Sequence, residues 1–244
     1  MNAEARIEPM SIDHWQSHGW MTVPGFLGPD ELDLLRNEAD RLLQEKRHFD
    51  MRGGVPFSPT RSDRLDPVID LSPSFAALAA DPRVTGLAAT VLGGQPQLMK
   101  DKFIAKPPGA AGYLTHQDGA YWKDLGIDFD GFLTVALFLD DAAPDQGPVE
   151  CASGFHRLLL TGPNGEIDPD DSQLGPFTMI EAKAGDALLI HSLTPHRSGT
   201  NRSNRRMSYL AGSNWRRWLV LMPDPGPPWR KTAGLAPGLP HRSQ

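Results

Sequence analysis

The sequence of 244 residues has a single cysteine, Cys151, so it cannot form a disulfide bond within the chain. It also lacks an apolar stretch long enough to span a bilayer. Its first ten residues carry Glu4, Arg6 and Glu8 where a secretion signal would have an apolar core. These absences predict a cytoplasmic protein that works in a reducing environment and has no membrane partner.

Positive charge is scarce as well. The chain has 24 Lys and Arg against 30 Asp and Glu, with a pI of about 5.7. This balance argues against a nucleic-acid partner, because phosphate backbones are bound by clustered basic residues. Hydrophobic residues make up 39% of the chain, which is enough for a sizeable core. We expect a monomer or a homodimer without a nucleic-acid partner.

Helical patterns lie in the N-terminal third of the chain. Pro29 can begin a helix with charged residues on one face. The apolar residues that continue it at helical spacing are Leu32, Leu35, Ala39, Leu42 and Leu43. A second helical region spans residues 73 to 92, is interrupted where Asp81 can cap and Pro82 can begin a new helix, and ends at Gly93. We expect these helices to pack against one sheet.

The pattern changes to short β-branched and aromatic runs after residue 96. The five runs cover residues 97–105, 132–140, 177–181, 187–191 and 207–213. Clusters of Gly, Pro, Asn and Asp separate them. Many short strands with turn signals predict a mainly β fold with flanking helices, either a double-stranded β-helix or another jelly roll of the cupin-like kind.

One domain accounts for most of the chain in this interpretation. It covers residues 1–222, with a helical N-terminal part over about 10–95 and a β-helix core over about 96–215. The remaining residues 223–244 are rich in proline and predict an extended tail.

A histidine and an aspartate two positions apart are the first candidate site. In an extended segment, His116 and Asp118 would point the same way and Gln117 the opposite way. His196 lies eighty positions after His116, and two histidines with one carboxylate form the facial triad of non-haem iron(II) oxygenases. His191 competes with His196, but the Ser-Gly-x-Asn sequence that follows and the distance to Arg206 favour His196 as the second imidazole ligand.

A possible carboxylate clamp follows ten residues after His196. Arg206 and Ser208 would share one strand face, and a guanidinium with a nearby hydroxyl can bind a carboxylate through several hydrogen bonds. Arg205 is the alternative clamp. The alternative interpretation of Arg206 is a solvent-exposed arginine in a basic stretch, with no role in binding.

Four fragments of the sequence resemble the iron(II)- and 2-oxoglutarate-dependent dioxygenases of the phytanoyl-CoA dioxygenase type, over residues 25 to 214. They are KPP (106–108), HQDGAYW (116–122), LTVALFLDDAAPDQGPVECASGFH (133–156) and GDALLIHSLTPHRSGTNRSNRR (185–206). The resemblance implies that His116, Asp118 and His196 hold the iron. It also implies that a basic residue near Arg206 binds the distal carboxylate of 2-oxoglutarate.

Further cosubstrate contacts implied by the resemblance are Ser198, Thr134 and Lys102. The implied reaction consumes O2 and 2-oxoglutarate, releases succinate and CO2, and hydroxylates, desaturates or cyclises a small molecule, most simply in bacterial secondary or amino-acid metabolism. Related halogenases replace the carboxylate ligand with a small residue, so the intact Asp118 favours oxidation without halogenation. The alternatives are a catalytically silent relative that binds a small molecule and a cupin-like metal enzyme that does not use 2-oxoglutarate.

Two loops supply the candidate substrate residues. Residues 48 to 66 form an irregular segment that contributes Phe57, Arg61 and Arg64, and the segment after Asp118 contributes Tyr121 and Trp122. Loops on a rigid scaffold often carry function. These side chains would suit an anionic or ring-bearing substrate.

Overall fold

The computed structural model describes residues 9–45, 63–65, 67–125, 128–160, 167 and 174–216. Phe57, Arg61 and the proline-rich tail over residues 223–244 lie outside these ranges. The helices are α1 Pro9–His18, α2 Pro29–Glu45, α3 Pro73–Ala79 and α4 Pro82–Leu92. Short 3-10 helices cover Asp118–Leu125, Phe129–Gly131 and Pro144–Gln146.

The predicted helices form for the predicted reasons. Helix α2 begins at Pro29 and buries Leu32, Leu35, Ala39 and Leu42. Asp81 accepts a hydrogen bond from the backbone N–H of Arg83 and separates α3 from α4. Gly93, at φ 66°, ends α4 in the left-handed conformation.

Two antiparallel sheets form the β-structure. The strands in chain order are β1 Trp20–Val23, β2 Asp63–Leu65, β3 Pro96–Lys106, β4 Phe132–Phe138, β5 Val149–Ala152, β6 Phe177–Met179, β7 Ala187–His191, β8 His196–Ser198 and β9 Met207–Arg216. The large sheet has the order β1-β7-β4-β9-β3-β2, and the small sheet has the order β6-β5-β8. Strands β1, β2, β5 and β8 escaped the sequence-based prediction because segments of three or four residues carry too little pattern. Helix α1 falls within the predicted helical part but was not singled out as a helix.

The large sheet is buried on both faces. On its outer face, Leu133, Val135 and Leu137 of β4 pack with the buried residues of α2, α3 and α4. On its inner face, Ala136 and Phe138 share a core with residues of the small sheet. This arrangement confirms the predicted double-stranded β-helix with N-terminal helices packed on one sheet.

Contrary to the expectation that no apolar stretch is long enough to span a bilayer, residues Pro73–Leu92 meet that criterion by length and composition. In the structure this segment is broken between α3 and α4, and its apolar side chains belong to the core on the outer face of the large sheet. The buried members are Phe75, Leu78, Val84, Leu87, Ala88 and Leu92.

Candidate metal centre

His116, Asp118 and His196 meet at one end of the β-helix. His116 lies in the segment after β3, Asp118 begins a 3-10 helix, and His196 begins β8. Their potential ligand atoms all lie within 4.8 Å of one another. The Asp118 Oδ1 atom is 3.7 Å from His116 Nε2 and 3.9 Å from His196 Nε2. The three predicted ligands can therefore converge on a single ion.

Backbone pairing fixes the two histidines relative to each other. The backbone N–H of each donates to the carbonyl oxygen of the other, both at 3.0 Å. Four residues earlier, a Cβ on Gly112 would lie 1.8 Å from the carbonyl oxygen of Ser198. The segment leading to His116 therefore passes β8 too closely for any residue other than glycine at this position.

The hydrogen bonds of both imidazoles leave Nε2 available for a metal. His116 Nδ1 lies 2.8 Å from the carbonyl oxygen of Leu114, and His196 Nδ1 lies 2.9 Å from that of Thr194. A carbonyl oxygen only accepts hydrogen bonds, so Nδ1 carries the proton in both rings and Nε2 carries the lone pair. Such contacts orient metal-ligating histidines in proteins.

A threonine orients the carboxylate. Thr134 Oγ1, on the inner face of β4, donates to Asp118 Oδ2 at 2.6 Å. This bond occupies the oxygen that is turned away from the histidines and leaves Oδ1 facing them. Thr134, predicted as a cosubstrate contact, is therefore placed by the structure as a partner of the metal ligand.

Gln117 points away from the ligands and anchors the segment that carries them. Its Nε2 atom donates to the carbonyl oxygens of Leu158 and Leu193 at 2.6 and 2.5 Å, and its Oε1 atom accepts from the N–H of Leu160 at 2.8 Å. The expected alternation of side chains thus holds even though Asp118 already belongs to a 3-10 helix.

The protonation states suit a divalent cation. Burial lowers the pKa of His116 to about 4, and the neighbouring His196 adds to this effect. Burial would raise the pKa of Asp118, but its electrostatic interactions with His196, Lys102 and His116 and the hydrogen bond from Thr134 hold that pKa well below its usual range. At neutral pH the site therefore offers a neutral His116 imidazole and an ionised Asp118 carboxylate.

His191, the alternative to His196, lies outside this cluster. It sits on the outer side of β7, where its Nδ1 accepts from the N–H of Leu193 at 3.1 Å and its Nε2 lies 3.4 Å from Asp130 Oδ1. It lines a cavity of about 550 Å³ together with Trp15 and other residues, none of which is a member of the triad. The preference for His196 over His191 agrees with this geometry.

The predicted clamp does not face the metal centre. Arg206 is ion-paired with Asp40 of α2 and with Asp140, whose Oδ2 atom lies 3.1 Å from Arg206 Nε. Ser208 donates to the same Asp140 oxygen at 2.5 Å. Along β9, Ser208 therefore shares the helix-covered face with Leu210, on the side of the sheet opposite Thr134. The assignment of Arg206 and Ser208 as the clamp is corrected on this ground.

The alternative clamp, Arg205, is placed no closer to the ligands. Its Nη2 atom pairs with Asp145 Oδ1 at 3.2 Å, and both side chains are largely exposed.

The inner face of the large sheet carries other basic residues. On β3, Lys102 and Lys106 lie two residues before and after the inward-facing Ile104 and therefore share its face. Lys106 pairs in register with Met207 of β9. The charge of Lys102 reaches both His116 and Asp118, as their pKa shifts show. Met207 is fully buried in the inner core, so it occupies the inward position on β9 that the predicted Arg206 clamp would need.

Lys106 crosses from the large sheet to the small one. Its Nζ atom donates to the carbonyl oxygens of Gly147 and Gly199, both at 2.5 Å. Burial lowers the pKa of this amine to about 8. Next to Gly199, the predicted cosubstrate residue Ser198 accepts a hydrogen bond from the N–H of Tyr113 at 3.0 Å. Lys106 belongs to the KPP motif but was not among the predicted site residues, because a lysine next to two prolines carries no signal of a buried ammonium.

The described substrate candidates differ in their distance from the centre. The Tyr121 ring lies 6.0 Å from the His116 ring, and Trp122 follows it in the same 3-10 helix. Arg64, on β2, pairs in register with Ile104, and its charge reaches the buried Tyr209. Tyr121 therefore borders the metal ligands, whereas Arg64 lies along the inner face of the sheet.

The chain is similar to proteins of known activity in both sequence and fold. The family model described as Phytanoyl-CoA dioxygenase (PhyH) matches residues 15–208. The methylphosphonate hydroxylase of Gimesia maris is 27% identical over 210 residues, which cover 82% of this chain and 78% of the relative.

Two solved structures share the fold at lower identity. EctD from S. alaskensis, solved with 2-oxoglutarate and 5-hydroxyectoine, has a TM-score of 0.75 and 22% identity over 88% of this chain and 78% of its own. SnoK, a non-heme alpha ketoglutarate dependent carbocyclase from nogalamycin biosynthesis, has a TM-score of 0.74 and 17% identity over 100% of this chain and 96% of its own. Both likenesses extend over most of each chain.

Proposed function

The chain belongs to the phytanoyl-CoA dioxygenase family, and from this we propose that it is an iron(II)- and 2-oxoglutarate-dependent dioxygenase that oxidises a small molecule and releases succinate and CO2. The predicted cofactor set, iron(II) with 2-oxoglutarate and O2 as cosubstrates, is that of the family, and the donor set fits it. The observation that carries the proposal is that two imidazole Nε2 atoms and one carboxylate oxygen lie within 4.8 Å of one another.

The residues around the ligands would hold the metal in a fixed geometry. Leu114 and Thr194 hold the imidazole protons at Nδ1, and Thr134 turns the Asp118 carboxylate. His116, Asp118 and His196 would hold the iron, and the bound iron would supply the oxidising chemistry with the keto acid and O2. The intact Asp118 occupies the position that a halide would need, which supports hydroxylation, desaturation or ring closure.

Lys106 and Ser198 are our proposed anchor for the distal carboxylate of 2-oxoglutarate. Lys106 pairs in register with Met207 and Ser198 with Val149, and both partners belong to the inner core. The Lys106 ammonium donates to the carbonyl oxygen of Gly199, the residue after Ser198. A buried ammonium next to a hydroxyl supplies charge-assisted hydrogen bonds of the kind predicted for Arg206. The charge of Lys102 acts on His116 and Asp118, and it would stabilise the carboxylate end of the keto acid that binds the metal.

The substrate is proposed to be a small molecule of bacterial secondary or amino-acid metabolism. The relative from Gimesia maris is named for methylphosphonate, EctD was solved with 5-hydroxyectoine, and SnoK belongs to nogalamycin biosynthesis. The compounds in these names share no common scaffold, but all of them are small molecules, which supports a small-molecule substrate for this chain. The cytoplasmic location and the monomeric or dimeric state stay predictions.

Anaerobic titration with iron(II) and 2-oxoglutarate tests the proposal. The wild-type protein should develop a weak visible charge-transfer band and, with O2 and a substrate, release succinate. His196→Ala should abolish the band, while the matched variant His191→Gln should retain it. A wild-type protein that binds iron without the band would instead be a cupin-like metal enzyme, and one that binds no iron would be a silent relative.

A further inference from the structure

We propose that the substrate presents an apolar, ring-bearing face to the metal centre and docks on Leu114 and Tyr121, two exposed apolar side chains beside His116. This inference rests on the proposed function and names the substrate class of the same site. It separates this chain from an enzyme for a compact, fully charged molecule such as methylphosphonate.

Exposed large apolar side chains are concentrated around the iron-binding segment. Among the described residues, six large apolar ones are more than a third exposed: Leu34, Leu114, Tyr121, Leu158, Leu159 and Met179. Four of these six lie in the segments next to His116 and Gln117. A contiguous exposed apolar surface marks a binding region more often than a single exposed leucine does.

Leu114 and Tyr121 flank the first iron ligand. The carbonyl oxygen of Leu114 accepts the Nδ1 proton of His116 at 2.8 Å, and its side chain is 66% exposed. The Tyr121 ring lies 6.0 Å from the His116 ring and is 55% exposed. A molecule that approaches the iron beside His116 would therefore cover both side chains.

Leu158 and Leu159 lie on the other side of the same segment, away from the metal ligands, and a buried side chain holds them in place. Gln117 is completely buried and binds the carbonyl oxygen of Leu158 and the N–H of Leu160. The side chains of Leu158 and Leu159 remain 53% and 39% exposed. Since the same glutamine lies between two iron ligands, the segment is coupled to the position of the metal.

The position of the surface decides its occupant. It adjoins the ligand His116, and the molecule that must reach this place during turnover is the one to be oxidised. Burying a leucine or tyrosine side chain strengthens binding by roughly tenfold or more, whereas a small dianion would gain little from either. A neutral or weakly charged molecule with a ring system matches these contacts.

Nile red, an uncharged ring-bearing dye, provides a direct test with the anaerobic holoenzyme loaded with iron(II) and 2-oxoglutarate. We expect saturable binding that Leu114→Ser and Tyr121→Ser each weaken by about tenfold. Leu34→Ser is the matched control, because Leu34 is 57% exposed on α2. It should leave dye binding and succinate release unchanged. Equal dye affinity in all three variants would overturn the inference.

A substrate comparison and a sedimentation measurement complete the test. Uncharged ring-bearing compounds should stimulate succinate release in the wild type and less so in Tyr121→Ser. Stronger stimulation by methylphosphonate than by any such compound would overturn the inference. So would a wild-type dimer that Leu114→Ser converts to a monomer, since a second copy would then cover the surface. If the charge-transfer band forms, these failures leave the proposed function intact, whereas a missing band refutes the function itself.

Discussion

Replacing Lys106 with methionine should weaken the binding of 2-oxoglutarate far more than it changes the binding of iron. The substitution removes a buried ammonium that donates to the Gly147 and Gly199 carbonyl oxygens and retains a side chain of similar length. We propose that the third donor of this ammonium binds the distal carboxylate of the cosubstrate. Without it, that carboxylate would be buried without its cationic partner.

The expected loss follows from the strength of such bonds. A hydrogen bond to a charged group contributes roughly 1.5–3 kcal/mol. This corresponds to an increase of about 10- to 150-fold in the Kd for 2-oxoglutarate. In the wild type, affinity should also fall as the pH rises through about 8, because the ammonium form, which binds the carboxylate, is lost above its pKa.

The assay is an anaerobic titration of the visible band with 2-oxoglutarate, repeated with 2-oxobutyrate, which lacks the distal carboxylate. Lys106→Met should weaken the first ligand selectively. Arg206→Met is the control: it should lower the thermal stability, since it leaves Asp40 and Asp140 without their partner, but change the Kd by less than about twofold. Loss of affinity in Arg206→Met with normal affinity in Lys106→Met would refute the reasoning.

Three further predictions concern the surroundings of the metal ligands. Thr134→Val should lower iron affinity by about 10- to 100-fold in a competition with a chelator, because Asp118 loses its orienting hydrogen bond, and Thr134→Ser should restore it. Gln117→Leu should destabilise the fold by about 2–5 kcal/mol, since it leaves three buried backbone groups without partners. The Tm should fall by roughly 10 °C, and a Tm within about 2 °C of the wild type would contradict this prediction. Burial lowers the pKa of His191 to about 4, so the unfolded chain binds more protons than the folded protein between about pH 4 and 6.5, and stability should rise with pH in that window. Urea unfolding of the metal-free protein at pH 5 and 7 should show this dependence, and His191→Gln should reduce it by on the order of 1–2 kcal/mol.

The helices and long strands could be predicted because their patterns extend over many residues. The apolar spacing in α2 and the runs in β4 and β7 repeat a signal over several residues, and Asp81 followed by Pro82 is a strong local signal for the start of a helix. Strand β8 has three residues and pairs mainly through its backbone. Its formation depends on residues distant in sequence, which a local pattern does not contain.

The site could be predicted in part for a similar reason. The iron ligands follow from residue types at characteristic spacings, whereas the clamp depended on which face of β9 turns inward. A shift of one residue along a strand moves every side chain to the other face. Arg206 and Met207 are adjacent, and the pairing of β9 with β3 and β4 settles which one faces inward.

The mutual backbone hydrogen bonds between His116 and His196 imply that the coordination sphere is assembled during folding. Bringing together two residues eighty positions apart lowers the chain entropy. The backbone pairing of His116 and His196 offsets this loss when the protein folds, before any ion binds. An ion entering this site would need to displace water and would not need to gather its ligands. Loading and release of the metal can therefore proceed as a local exchange at the open end of a finished scaffold, without unfolding of the chain.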